Sequence, residues 1–149
     1  MPITINGSGT LTGISTGGLP DGCIATDDLA NNAVTTAKLG TTEQSQLCRA
    51  WVNFNGTGTV AIRASYNVSS ITDNGVGDYT VNFTTAMVDA NYSAVGVANE
   101  TVLGNRSSGW SIRNTDSSDM TTTSLRIDVG SQSSGSAADT SVVTVAIFR

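Results

Sequence analysis

The chain has 149 residues and a formal net charge of −5, from 7 Lys plus Arg against 12 Asp plus Glu. That length fits one ordinary domain, or a small domain with an extension. Its acidity supplies neither the basic footprint of a nucleic-acid binder nor the basic cluster that an anionic membrane surface attracts.

Charged residues make up only 13% of the chain, whereas 40 residues are Ser or Thr. Uncharged polarity with many β-branched residues is the profile of β-structure with polar outer faces, not of disorder. The opening Met1-Pro2-Ile3-Thr4 has no basic or apolar leader, so no signal peptide is expected, and no apolar run is long enough for a membrane span.

Residues 1–25 are rich in Gly, Ser and Thr, with short alternations such as Ile3-Thr4-Ile5 and the turn-dense Gly17-Gly18-Leu19-Pro20-Asp21-Gly22. This extended or β-like zone has too few large apolar side chains for its own core. It is either disordered alone or packed against other chains.

Residues 26–49 hold the one helical candidate. Thr26 or Asp27 is suited to cap a helix, with Asp28 near its positive end. Leu29, Ala33 and Ala37 recur at four-residue spacing with Val34 beside them, and Gly40 is a natural stop. Thr41-Thr42-Glu43-Gln44 reads as a capping box for a second short helix reaching Leu47 or Cys48. One thin stripe cannot hold a lone helix in water. Three copies around an axis solve that problem; a partly ordered linker is the other reading.

From residue 50 to 149 the period becomes two. Val60 and Ile62 alternate with Ala61 and Arg63; Tyr79, Val81 and Phe83 with Thr80, Asn82 and Thr84; Leu125, Ile127 and Val129 with Ser124, Arg126 and Asp128. Val143, Val145 and Ile147 alternate with Thr144 and Ala146. Each set requires one buried face. Turn signals at Asn55-Gly56, Asp73-Asn74-Gly75, Gly104-Asn105 and Gly130 to Gly135 separate them. The expected fold is mainly β: an antiparallel β-sandwich or jelly-roll-like knob of about seven or eight strands.

Three strings resemble bacteriophage tail-fibre proteins. ITINGSGTLTGIS followed by GGLPDGCIATDDLANNAVTTAKLG is similar to the N-termini of many such fibres. Residues 50–87, AWVNFNGTGTVAIRASYNVSSITDNGVGDYTVNFTTAM, with DANYS at 89–93, resemble a module recurring at the distal ends of phage and prophage fibres, including cyanophage-like ones. The closing SVVTVAIFR is also similar to that module's last strand. The resemblance covers about two thirds of the chain. It implies a virion component of the tail or baseplate region, assembled in the host cytoplasm as a homotrimer. Residues 1–25 would attach to a baseplate or other virion protein, or thread between chains. Residues 26–49 would form a short helical neck, and 50–149 the distal knob for host-surface attachment. A purely structural baseplate or head-decoration fibre without a receptor is the alternative.

Chemistry-bearing residues are sparse. The chain has no His, which removes Ser-His-Asp and Cys-His nucleophile schemes, HExxH zinc sites and His general bases. Asp27-Asp28 is the one adjacent acidic pair, explained by helix N-terminal placement. Asp73, Asp78, Asp116 and Asp119 fall in expected loops without a calcium-loop spacing. No enzyme activity, cofactor or metal is expected. Cys23 and Cys48 match no zinc pairing; a disulfide needs Cα atoms within about 7 Å, and a reducing assembly compartment favours free thiols.

The two Trp residues differ. Trp51, beside Val52 and Phe54, is expected in core or inter-chain packing. Trp110 lies in a Ser-, Asn- and Gly-rich stretch with nearby Arg side chains. Asn105, Arg106, Trp110, Arg113, Asn114 and Asp116 are therefore the candidate receptor-binding residues, with a host-cell glycan as ligand, by sugar stacking and hydrogen bonding. The competing reading places Trp110 in the core.

Overall fold

The computed structural model describes residues 24, 27, 29–99, 108–112, 118–131 and 136–149. The chain divides into two compact units, residues 1–39 and 40–149.

In the first unit, a 3-10 turn spans Thr36–Lys38. The α-helix expected from a cap at Thr26 or Asp27 to a stop at Gly40 does not form over the described residues 29–39. Asn32 adopts a left-handed φ of 64°, which breaks a helical run. The stripe of Leu29, Ala33, Val34 and Ala37 leaves Leu29, Val34 and Ala37 exposed and Ala33 only half-buried. Without a packed face, so short a segment has nothing to offset helix nucleation.

The second unit opens with the expected short helix, α1, Thr41–Ser45. Its N-cap is Gly40, not Thr41, and no side-chain cap bond is made. Among the described residues eight strands follow: β1 Cys48–Asn55, β2 Ala61–Tyr66, β3 Val68–Gly75, β4 Asp78–Phe83, β5 Ser93–Asn99, β6 Ser108–Ile112, β7 Ser124–Ser131 and β8 Val142–Phe148. They form two four-stranded antiparallel sheets, ordered β2-β1-β8-β5 and β3-β4-β7-β6. The protein is mainly β, as its composition indicates.

Both sheets contribute to one core. Ala50, Val52 and Phe54 enter it from β1, and Val143, Val145 and Ile147 from β8. The other sheet sends Tyr79, Val81 and Phe83 from β4, and Leu125, Ile127 and Val129 from β7. Each full burial of such a side chain stabilises by roughly 1.5–3 kcal/mol. Phe54 meets Tyr79 edge-to-face across the sheets, with ring centroids 5.2 Å apart; Phe83 and Tyr92 do the same at 5.9 Å. This is the geometry that aromatic quadrupoles favour.

Of the expected inward residues, Ile62 is not buried. It is 36% exposed, on a strand whose every residue is exposed. β2 ends its sheet, and a bulge between Asn53 and Phe54 shifts its register, so the alternation there covers no core. Val60 is half-buried against the core. Asp73 and Asp78 lie in β3 and at the start of β4 rather than in loops.

β2 and β3 are one run of chain that changes sheet at Asn67, which has a left-handed φ of 54°. Its side chain makes the corner. Oδ1 accepts the Thr85 N–H at 2.8 Å, while Nδ2 donates to the carbonyls of Thr85 and Arg49, each at 3.1 Å. Asn is the non-glycine residue that tolerates this φ while offering both a donor and an acceptor.

Candidate interaction face

Tyr79 anchors the end of the core. Its hydroxyl lies 2.7 Å from Asp139 Oδ1 and 2.9 Å from the Gly56 carbonyl. Asp139 Oδ1 also accepts the Gly77 N–H at 2.8 Å. Burial, and then the Asp139 carboxylate, push the Tyr79 phenol well above its ordinary range. Burial likewise pushes Tyr92 up to about 12.

Two further acids are held by Arg side chains. Arg126 grips Asp78 through Nε at 2.9 Å and Nη2 at 2.6 Å. Arg149 does the same to Asp89 and holds that carboxyl below the usual carboxylate range. Among the described residues, no three His, Cys, Asp or Glu side chains converge as metal ligands. No helix among them is long and apolar enough to cross a membrane. Cys48 is a free, half-buried thiol whose Sγ lies 3.2 Å from the Ala50 carbonyl; Cys23 lies outside the described residues.

The outer faces of the two sheets differ in kind. Side chains alternate along a strand, so residues flanking the core positions point outward. On the β3-β4-β7 side these are Thr72, Thr80 and Arg126 in one cross-strand row and Ser70, Asn82 and Ser124 in the next. Asn82 Nδ2 donates to Thr72 Oγ1 at 2.9 Å and to Ser70 Oγ at 3.1 Å. That face is a polar lattice.

On the β2-β1-β8-β5 sheet the corresponding rows are Tyr66, Trp51, Ala146 and Val95, then Ala64, Asn53, Thr144 and Val97. Neither row contains a charged residue. Tyr66 is 59% exposed, Trp51 39%, Val95 52% and Val97 57%. A shallow groove crosses this face, lined by Trp51, Asn53, Val95, Val97, Thr144 and Ala146. Its two polar side chains already have partners within the chain. Asn53 Oδ1 accepts from Arg63 at 3.2 Å, and Thr144 Oγ1 donates to the Val97 carbonyl at 3.3 Å. Of the two sequence readings of Trp51, core packing fails: its neighbours Val52 and Phe54 turn inward and it turns out.

The expected receptor cluster is only partly described. Asn105, Arg106, Arg113, Asn114 and Asp116 lie outside the described residues, and Trp110 is placed by its backbone alone, in β6 opposite Val129. The apolar face was missed in the sequence. Its signal was present in Ala94-Val95-Gly96-Val97-Ala98, but ordinary alternation would send the two Val side chains inward.

No family model, no curated protein and no solved structure matches this chain.

Proposed function

We propose that the chain is the subunit of a short homotrimeric phage fibre, in which residues 1–39 join the copies and the virion and a β-sandwich knob is displayed outward for host-surface attachment. The observation that carries it lies in the first unit: Ile24, Leu29 and Val34 are each about half exposed. Three branched apolar side chains without cover in a short segment call for cover from other copies. The resemblance of residues 3–40, 50–93 and 141–149 to fibre proteins supplies the viral context. A non-enzymatic role is supported by the absence of His and by the carboxylates of Asp78, Asp89 and Asp139, each engaged by Arg or Tyr. Three weak knob sites on one axis would act together through avidity.

The test has two parts. Light scattering on the purified chain should give three times its 15.2 kDa mass, and peptides of the chain should be found in purified particles of the virus or prophage that encodes it. A stable folded monomer at micromolar concentration, or absence from the particles, sinks the reading. Adsorption of those particles to host cells, blocked by added trimer, separates an adhesin from a decoration fibre.

A further inference from the structure

We infer that the outer face of the β2-β1-β8-β5 sheet is the surface through which the β-domain of one chain packs on a second copy of the same chain. The inference rests on the homo-oligomeric reading above and gives it a location.

The first argument is the inverted strand β5. Ala94, Gly96 and Ala98 pair with the inward residues Ile147, Val145 and Val143, so the small side of the strand meets the core. The larger Val95 and Val97 point out, each more than half exposed. A half-buried strand in a lone domain has the reverse arrangement. With Trp51 and Tyr66 in the same row as Val95, the exposed apolar surface is on the order of 400 Å², continuous across all four strands.

The second argument is charge. Each copy carries −5, so copies repel, and their contact must use a face that adds little to that repulsion. The two rows on this sheet contain no acid, and the one guanidinium that reaches them, that of Arg63, is bound to Asn53 and to the Phe54 carbonyl, whereas the outer face of the other sheet carries Asp78 and Asp128 beside Arg126.

Area sets the face's share. A stable interface buries about 800 Å² per partner, so this face supplies about half of that area.

The test is site-specific photocrosslinking in the full chain. Val95→benzoylphenylalanine should yield, on irradiation and denaturing electrophoresis, a covalent band at twice the 15.2 kDa chain mass. Thr72→benzoylphenylalanine, on the polar sheet, should stay at the mass of one chain. Circular dichroism and light scattering on both variants establish that fold and oligomer persist before irradiation. An oligomer that crosslinks at position 72 and not at 95, or at neither, overturns the inference and leaves the fibre reading standing. A wild-type chain that is monomeric by light scattering overturns both. If Val95→benzoylphenylalanine itself disrupts assembly, Trp51→benzoylphenylalanine in the same row replaces it under the same criteria.

Discussion

Asn67 holds the backbone of Thr85 from both sides, its Oδ1 accepting the Thr85 N–H at 2.8 Å while its Nδ2 donates to the Thr85 carbonyl at 3.1 Å. A side-chain amide thus stands in for one residue of a β-ladder, at the place where the chain leaves one sheet for the other.

Replacing that residue should be costly in a graded way. Asn67→Ala loses these bonds and the one to Arg49, and puts a Cβ residue without compensation at φ 54°. The expected destabilisation is about 2–4 kcal/mol. Asn67→Gly relieves the φ penalty and should recover about 1 kcal/mol of it. Urea midpoints of the two variants give the order; equal midpoints would remove the backbone part of the argument.

Two glycines with nearly the same φ should respond differently to Ala. Gly77, at φ 67°, has Val129 O at 2.2 Å and Ala138 N at 2.8 Å from the position a Cβ would take. Gly58, at φ 65°, has open space there. Gly58→Ala should cost about 1 kcal/mol, the left-handed penalty alone. Gly77→Ala should cost more than about 3 kcal/mol, because backbone rather than a flexible side-chain end must move. Denaturant unfolding of both variants checks the contrast.

The buried phenols set an alkaline limit. As pH rises past the ordinary tyrosine value of 10.0, an unfolded Tyr92 releases its proton while the folded one, pushed up to about 12, keeps it. The folded chain then binds more protons than the unfolded one, so stability falls with pH. The expected slope is about 1.4 kcal/mol per pH unit for Tyr92 between these two values, with Tyr79, shifted in the same direction, adding a similar amount. Below pH 10 this contribution is fully present. Urea unfolding at about pH 8 to 11.5 measures it, and Tyr92→Phe should roughly halve the slope.

Ile127 and Ile62 test which strands carry the core. Ile127 is fully buried and Ile62 is 36% exposed on the edge strand. Ile127→Ala should destabilise by about 2–5 kcal/mol. Ile62→Ala should cost under about 1 kcal/mol to the fold. Comparable losses in thermal unfolding would mean that β2 is buried in the assembled protein.

The parts legible in the sequence are those where large side chains alternate over a core. β4, β7 and β8 each place three large apolar residues inward, and their period of two announces both strand and face. β5 is opaque to the same rule, because Val95 and Val97 point away from the core while Ala94 and Ala98 face it. The sheet change at Asn67 carries no Gly or Pro; it depends on Thr85 and Arg49, each 18 residues away. The failed helix over residues 29–39 has the converse cause: its spacing is helical, but a spacing of small residues specifies a helix only when something packs on it.

The pairing of β1 with β8 has a consequence for how the protein is made. β1 begins at Cys48 and its central partner ends at Phe148, so the middle of one sheet joins the start and finish of the domain. β3 and β4 form a local hairpin that can close as soon as both have left the ribosome. β5 has no such option, since its described ladder is to β8 alone. Until β8 is synthesised, the strand bearing Val95 and Val97 has no ladder partner and the β1-β2 hairpin lies open along one edge. Nascent chains crowded on one polysome would therefore expose sticky, half-built sheets to each other, and loss of the seven-residue β8 would leave the β1-β2 hairpin alone and β5 without its ladder.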